Sequence, residues 1–289
     1  MTRYRIPEKT RLYARHDMID KHTELPPLAE PRARMLYAFL SQQRSVKEQS
    51  ELYTLVVTLV QLGMDTHDLI DTETTKRSEA DMRSRQLKVL AGDFFSARFY
   101  QLLANAGQIE MITKISNAVC EVNRLKVNLY MRMRSLRMTT EEYFKQAVQL
   151  RSQLFEHFSG MLEGATARVW PELLEGVSRC EVALEELERS ESMDKFEKSW
   201  AYWHVLQVGT EEDRHRLASQ TLEIGDLPAL LQKYDIRALL SAKLRQSAEA
   251  LKSAAAKLDS EELTLDLSAI ADGMVNKLSG AMPALNETR

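Results

Sequence analysis

Leu52-Tyr53-Thr54-Leu55-Val56-Val57-Thr58-Leu59-Val60-Gln61-Leu62-Gly63-Met64 reads as a helix, and it is followed directly by Asp65-Thr66-His67-Asp68-Leu69-Ile70-Asp71. A polar, charged stretch from Thr72 to Gln86 reads as a loop. A second helix opens at Leu87-Lys88-Val89-Leu90-Ala91-Gly92-Asp93-Phe94-Phe95-Ser96-Ala97-Arg98-Phe99-Tyr100. Both helices are apolar around most of their circumference, which marks them as central rather than surface helices. Three aspartates at the mouth of such a helix carry a desolvation cost unless water, a metal or a cationic ligand meets them.

The rest of the chain supports an all-α fold. The prolines, Pro7, Pro26, Pro27, Pro31, Pro171, Pro228 and Pro283, leave a long unbroken interior, and the 10 glycines are as sparse. Strands and hairpins need turn residues at short intervals. Residues 1–28 read as an irregular arm, 29–280 as one large helical domain, and 281–289 as a loose tail. Within the domain the spacing predicts helices from Pro31 to about Gln43, from near Val46 through the Leu52 run, and from Gln108 to about Leu136. Thr139-Thr140-Glu141-Glu142 caps the next one. Trp170, Leu173, Val177, Cys180, Leu184 and Leu187 alternate by three and four as a heptad-like seam. A break near Ser190 precedes a short aromatic helix with Phe196, Trp200, Tyr202 and Trp203, and two more helices run from about Asp235 to Leu258 and from Ser260 to Leu278. No repeat at a fixed period points to a solenoid.

Composition narrows the function classes. With 289 residues, 44% of them hydrophobic and 28% charged, the chain suits a globular protein with a full core. A net charge of -3 and a pI near 6.1 give no electrostatic case for nucleic acid. No apolar run approaches the ~18–20 residues that span a membrane. The basic N-terminus lacks the apolar region of a signal peptide, so a cytoplasmic protein is expected. Cys120 and Cys180 fall at apolar-phase positions without metal-ligand spacing and read as reduced core thiols.

On a helix, Asp65, Asp68 and Asp71 spread over an arc of roughly 120°. A hard cation such as Mg²⁺ takes oxygen ligands and bridges carboxylates to substrate phosphates, so the cluster could hold a Mg²⁺–diphosphate. The plainer account has the three aspartates solvating a helix end and pairing with Lys76, Arg77 or Arg83; spacing alone favours it. Arg124, Lys126, Arg132, Arg134 and Arg137 could meet a diphosphate or an acidic face of a partner, but complementing a helix C-terminus is the preferred account on the same logic. His67 with Asp71, and Glu212-x-x-His215, fall short of a di-iron site, which needs a second Glu-x-x-His.

Gln61 to Asp71, then Gln86 to Arg98, together with Glu121-Val122-Asn123-Arg124-Leu125-Lys126 in the helix from Ile109 to Tyr130, resemble component 1 of bacterial heptaprenyl diphosphate synthase. The likeness is clearest from about Leu52 to Tyr130. It implies the all-α isoprenoid-synthase architecture and a regulatory partner of a catalytic trans-prenyltransferase subunit, making the heptaprenyl diphosphate of the menaquinone side chain. A catalytic subunit of that superfamily carries two Asp-Asp-x-x-Asp motifs that hold Mg²⁺. Here the first reads His67-Asp68-Leu69-Ile70-Asp71, with Leu69 in place of the second aspartate. No second motif is present. Glu185-Glu186, Glu211-Glu212-Asp213 and Glu261-Glu262 sit in amphipathic or capping contexts, and Lys76-Arg77 matches the usual Arg-Arg only loosely.

The resemblance therefore implies a non-catalytic subunit with no firmly bound cofactor, Mg²⁺ being held by the catalytic partner in a heterodimer. Asp65, Asp68 and Asp71 remain as a degenerate substrate-binding motif, with Lys76, Arg77 and Asp93 as candidate diphosphate or partner contacts. Candidate partner surfaces are Phe196, Trp200, Tyr202 and Trp203, and the 87–100 helix with Phe94, Phe95 and Phe99; ordinary core packing is the preferred account of both. The alternatives are an independently active Mg²⁺-dependent prenyltransferase using residues 65–71, or an unrelated helical scaffold.

Overall fold

The computed structural model describes residues 4–70, 78–136 and 138–280, the side chains of 279 and 280 excepted. Among the described residues there are fourteen α-helices and no strand. They are α1 (Ile6–Ala14), α2 (Asp17–His22), α3 (Glu30–Gln42), α4 (Ser50–Asp68), α5 (Glu79–Asn105), α6 (Ile109–Arg134) and α7 (Thr140–Glu156). After these come α8 (Gly164–Glu191), α9 (Met193–Phe196), α10 (Trp200–Val208), α11 (Glu211–Ala218), α12 (Leu227–Lys233), α13 (Ile236–Ala255) and α14 (Glu261–Gly280). The chain divides into two compact units, Met1–Cys120 with His157–Ala167, and Glu121–Glu156 with Arg168–Arg289.

In the first unit, α4 is buried from Tyr53 to Met64. Its threonines are tolerated there because each bonds back one turn: Thr54 to the Ser50 carbonyl and Thr58 to the Thr54 carbonyl at 2.7 Å, and Thr66 to the Leu62 carbonyl at 2.6 Å. The helix α5 lies against α4 where glycines remove side chains. A Cβ on Gly63 would come 3.0 Å from the Gly92 carbonyl oxygen.

Residues 1–28, expected as an irregular arm, contain α1 and α2. Pro7 lies in the first turn of α1, where a missing N–H costs nothing. Ile6 packs with Tyr37, Leu55 and Leu59, while Ala14 and Ile19 pack with Leu62, Ala91 and Phe95. Burial against α4 and α5 makes these short helices stable, a contribution that local propensity cannot supply at such length. The 72–86 stretch is also not wholly loop: α5 begins at Glu79, where the Ser78 hydroxyl accepts the Asp81 N–H at 3.2 Å as an N-cap.

The second unit is assembled around α8, whose Trp170, Leu173, Val177, Cys180 and Leu187 are buried as the seam predicts. Thr139 and Glu142 form a reciprocal cap at the start of α7, with Thr139 N–H donating to Glu142 at 2.9 Å and Glu142 N–H to Thr139 Oγ1 at 3.2 Å. The helices α13 and α14 run back to back, tied by Lys252 to Asp272 at 2.7 Å. Phe196, Trp200 and Trp203 are at most 3% exposed and belong to this core, not to a docking surface. Cys180 is buried, its thiol pushed up to about 12 by burial, whereas Cys120 is exposed on α6 and is not the core thiol its helical phase suggested.

Candidate functional site: the acidic end of α4

The last turns of α4 place Asp65, His67 and Asp68 around the helix end, with Leu69 as the C-cap residue. Asp65 is half-buried and accepts from Gln61 Nε2 at 2.9 Å. Gln61 in turn accepts from the buried Arg32 guanidinium of α3 at 3.3 Å. This polar chain answers the desolvation problem at the helix mouth with protein groups. His67 stands in the last turn. Its Nε2 lies 3.4 Å from Asp93 Oδ1 on α5. Asp68 is exposed, and Leu69 is 39% exposed where the resemblance calls for a second aspartate.

So the structure brings Asp93 to the acidic end through His67, and Asp65 to Arg32 through Gln61. Asp71, Lys76 and Arg77 lie outside the described residues. Arg83, considered as a partner for the aspartates, pairs instead with Glu79 one turn away at 2.8 Å. Among the described residues, no group of three His, Cys, Asp or Glu side chains is placed to hold a metal ion. A Mg²⁺ clamp takes several oxygen ligands, and the leucine at 69 supplies none.

The carboxylate pair on α8 is likewise engaged. Glu185 bonds Arg189 Nη2 at 2.6 Å and also Arg151. Glu186 is buried and accepts from the Trp200 N–H at 2.5 Å. Burial pushes its carboxyl up to about 7, against the pull of Arg189 and of the Trp200 N–H. Glu185-Glu186, expected in an amphipathic context, instead anchors this network; Arg189 follows at i+4 and i+3, the spacings at which helix side chains meet.

The face of α5 turned from its core carries exposed apolar side chains. Phe95 and Phe99 are buried, while Met82, Val89, Leu90 and Tyr100 are 41%, 40%, 61% and 47% exposed at spacings that share one stripe. Asp93 lies in the same stripe, its side chain 70% exposed. Separately, α6 exposes Val127, Tyr130 and Met131 at 58–60%. The basic end of α6 is locally neutralised, Arg124 by Glu121 at 2.9 Å and Arg132 by Glu142 at 2.9 Å. Among the described residues no helix is long and apolar enough to cross a membrane.

These helices have the architecture of polyprenyl synthases. The decaprenyl diphosphate synthase of Rhodobacter capsulatus superposes with a TM-score of 0.66 at 17% identity, over 95% of this chain and 90% of that one. The heptaprenyl diphosphate synthase of Staphylococcus aureus gives 0.65 at 10% identity, over 96% and 92%. At such identities the likeness is one of fold. The sequence decides further: residues 16–197 match the family profile described as heptaprenyl diphosphate synthase (HEPPP synthase) subunit 1, and the chain belongs to that family. It is also 38% identical over 82 residues to heptaprenyl diphosphate synthase component 1 of Geobacillus stearothermophilus, a match spanning 28% of this chain and 35% of that protein.

Proposed function

We propose that this chain is the non-catalytic, regulatory subunit of a two-component heptaprenyl diphosphate synthase, paired with a catalytic trans-prenyltransferase subunit. The single observation that carries this reading is the acidic end of α4. Leu69 stands where the resemblance calls for a second aspartate, and Asp65 accepts from Gln61. In this chemistry metal stabilisation of the departing diphosphate is the catalysis, so an incomplete clamp leaves no route to ionise an allylic diphosphate. Mg²⁺ and both diphosphate substrates then belong to the partner, and the long-chain product serves the menaquinone side chain.

The exposed apolar stripe of α5 supports a partner-binding role. An apolar centre with Asp93 and other polar groups at its edge is the composition of a subunit interface. A second chain covering Leu90 and Tyr100 removes their apolar surface from water and helps wall the cavity that sets product length.

The test is reconstitution. The purified chain alone should turn over no isopentenyl diphosphate, and mixing it with its catalytic partner should yield long-chain product. Asp68→Ala with Asp71→Ala should leave assembly intact and product formation nearly unchanged. Robust product from this chain alone would establish the independent enzyme instead, and complete loss of complex activity in the double variant with assembly intact would favour direct chemistry at residues 65–71.

A further inference from the structure

Glu186 of α8 has a side chain only 2% exposed. Its Oε2 accepts the Trp200 N–H at 2.5 Å. Its Oε1 lies 2.9 Å from the Tyr143 hydroxyl oxygen of α7. That same hydroxyl oxygen lies 2.7 Å from the Lys198 carbonyl oxygen, in the turn before α10, and 3.3 Å from Arg189 Nη1, which donates to it.

A phenol carries one hydrogen, and a backbone carbonyl can only accept. Tyr143 therefore cannot donate to Lys198 and to an ionised Glu186 together. With its hydrogen on the nearer carbonyl, an ionised Oε1 would face the phenol oxygen with no hydrogen between them, in a buried setting where such a mismatch is costly. A proton on Oε1 resolves the count. Glu186 then donates to Tyr143, Tyr143 donates to the Lys198 carbonyl, and Oε2 still receives the Trp200 N–H.

We propose that Glu186 is a proton-operated latch: as the neutral acid it closes a chain through Tyr143 that holds the 197–199 turn and the start of α10 to α7 and α8. Loss of the proton turns the Tyr143 hydroxyl toward the carboxylate and releases the Lys198 carbonyl. This inference stands apart from the proposed subunit role.

The charged groups around Glu186 leave it room to stay neutral. On α8, Arg189 gives its closer contact, 2.6 Å, to Glu185 and only 3.5 Å to Glu186. On α7, Arg151 is bonded to Glu185. In the turn, Lys198 is exposed and meets Tyr143 through its carbonyl. On α10, His204 stacks on Trp200 at 4.8 Å, its pKa lowered by burial and by Lys243. On α13, Lys243 lies 5.7 Å from the Trp200 ring and bonds Glu141 at 2.5 Å. Burial, the largest influence on Glu186, favours the neutral form and raises its carboxyl from 4.5 to about 7.

The sign follows from linkage. Between 4.5 and about 7 the closed state holds a proton that the opened state releases, so opening becomes easier as pH rises and levels off above neutrality. Amide hydrogen exchange at the start of α10 in the full chain, corrected for the intrinsic rate, reads this directly. The opening constant should rise about tenfold per pH unit up to neutrality. Glu186→Gln keeps a donor for Tyr143 and an acceptor for Trp200, so its opening constant should be flat. Equal slopes in both proteins would overturn the latch. Where E186Q does not fold, titration of ¹³C-glutamate in the wild-type chain decides: a carboxyl with a midpoint near neutrality supports the latch, and titration of every glutamate below about pH 5 overturns it.

Discussion

Gly92 of α5 lies directly under the His67 imidazole of α4, so close that a Cβ there would stand 2.4 Å from Nε2. The other glycine of this contact, Gly63, faces backbone: its Cβ would meet the Gly92 carbonyl oxygen at 3.0 Å and Ser96 Oγ at 3.2 Å. The two positions should respond differently to alanine. A half-exposed imidazole can swing aside, whereas a helix backbone cannot move without dragging its neighbours. Gly92→Ala should change stability by under about 1 kcal/mol, since alanine's helix propensity offsets the displaced ring. Gly63→Ala should cost about 1–2 kcal/mol net of that gain. Denaturant unfolding of both variants measures the difference, with loss of the His67–Asp93 contact in G92A visible as a changed imidazole resonance.

Arg32 gives a second prediction. Its buried guanidinium donates to Gln61, which bridges to Asp65. Gln61→Leu is close in volume but removes both an acceptor and a donor. It should lower stability by about 2 kcal/mol, the range for a buried hydrogen bond to a charged group. A midpoint shift in urea without a change in slope would mark this as loss of the bond alone.

Asp213 makes acid sensitivity testable. At the start of α11 it accepts from Lys233 at 2.6 Å, from Tyr234 at 2.5 Å and from the Thr210 hydroxyl at 2.8 Å. Those bonds, Lys233's foremost, hold its carboxyl down at about 2, below the ordinary 3.8. A depressed carboxyl contributes stability above its unfolded value, and that contribution is lost as pH falls from about 3.8 through about 2. Asp213→Asn should flatten thermal stability across that window. Thr210→Ala, which removes the N-cap bond to the Asp213 N–H, should cost about 1 kcal/mol at every pH above it.

The α5 stripe predicts a separation of folding from assembly. Leu90→Arg alters an exposed side chain and should leave stability within about 0.5 kcal/mol of the parent, while Tyr100→Glu also removes the 3.0 Å bond to Ser116 and the ring contact with Phe99 and should cost about 1 kcal/mol. Each should nonetheless weaken association with the catalytic subunit. Sedimentation of the mixed subunits checks this, and full retention of the complex by both variants would move the interface off α5.

The sequence by itself determined the class of fold. Sparse proline and glycine, the apolar run of α4 and the three-and-four seam of α8 depend on local periodicity, which a chain states openly. It also showed a leucine at 69, where the resemblance calls for a second aspartate, and no packing can turn that side chain into a carboxylate. What only the tertiary structure decided was where each polar group finds its partner. Segments 6–14 and 17–22 became helical because α4 and α5 offered Ile6, Ala14 and Ile19 a place to bury. The aromatic residues near 200 turned inward, Cys120 turned outward, and Glu186 met Tyr143 from 43 residues away. Those outcomes rest on contacts between distant segments, and a periodicity read along one helix carries no record of which face a later helix will cover.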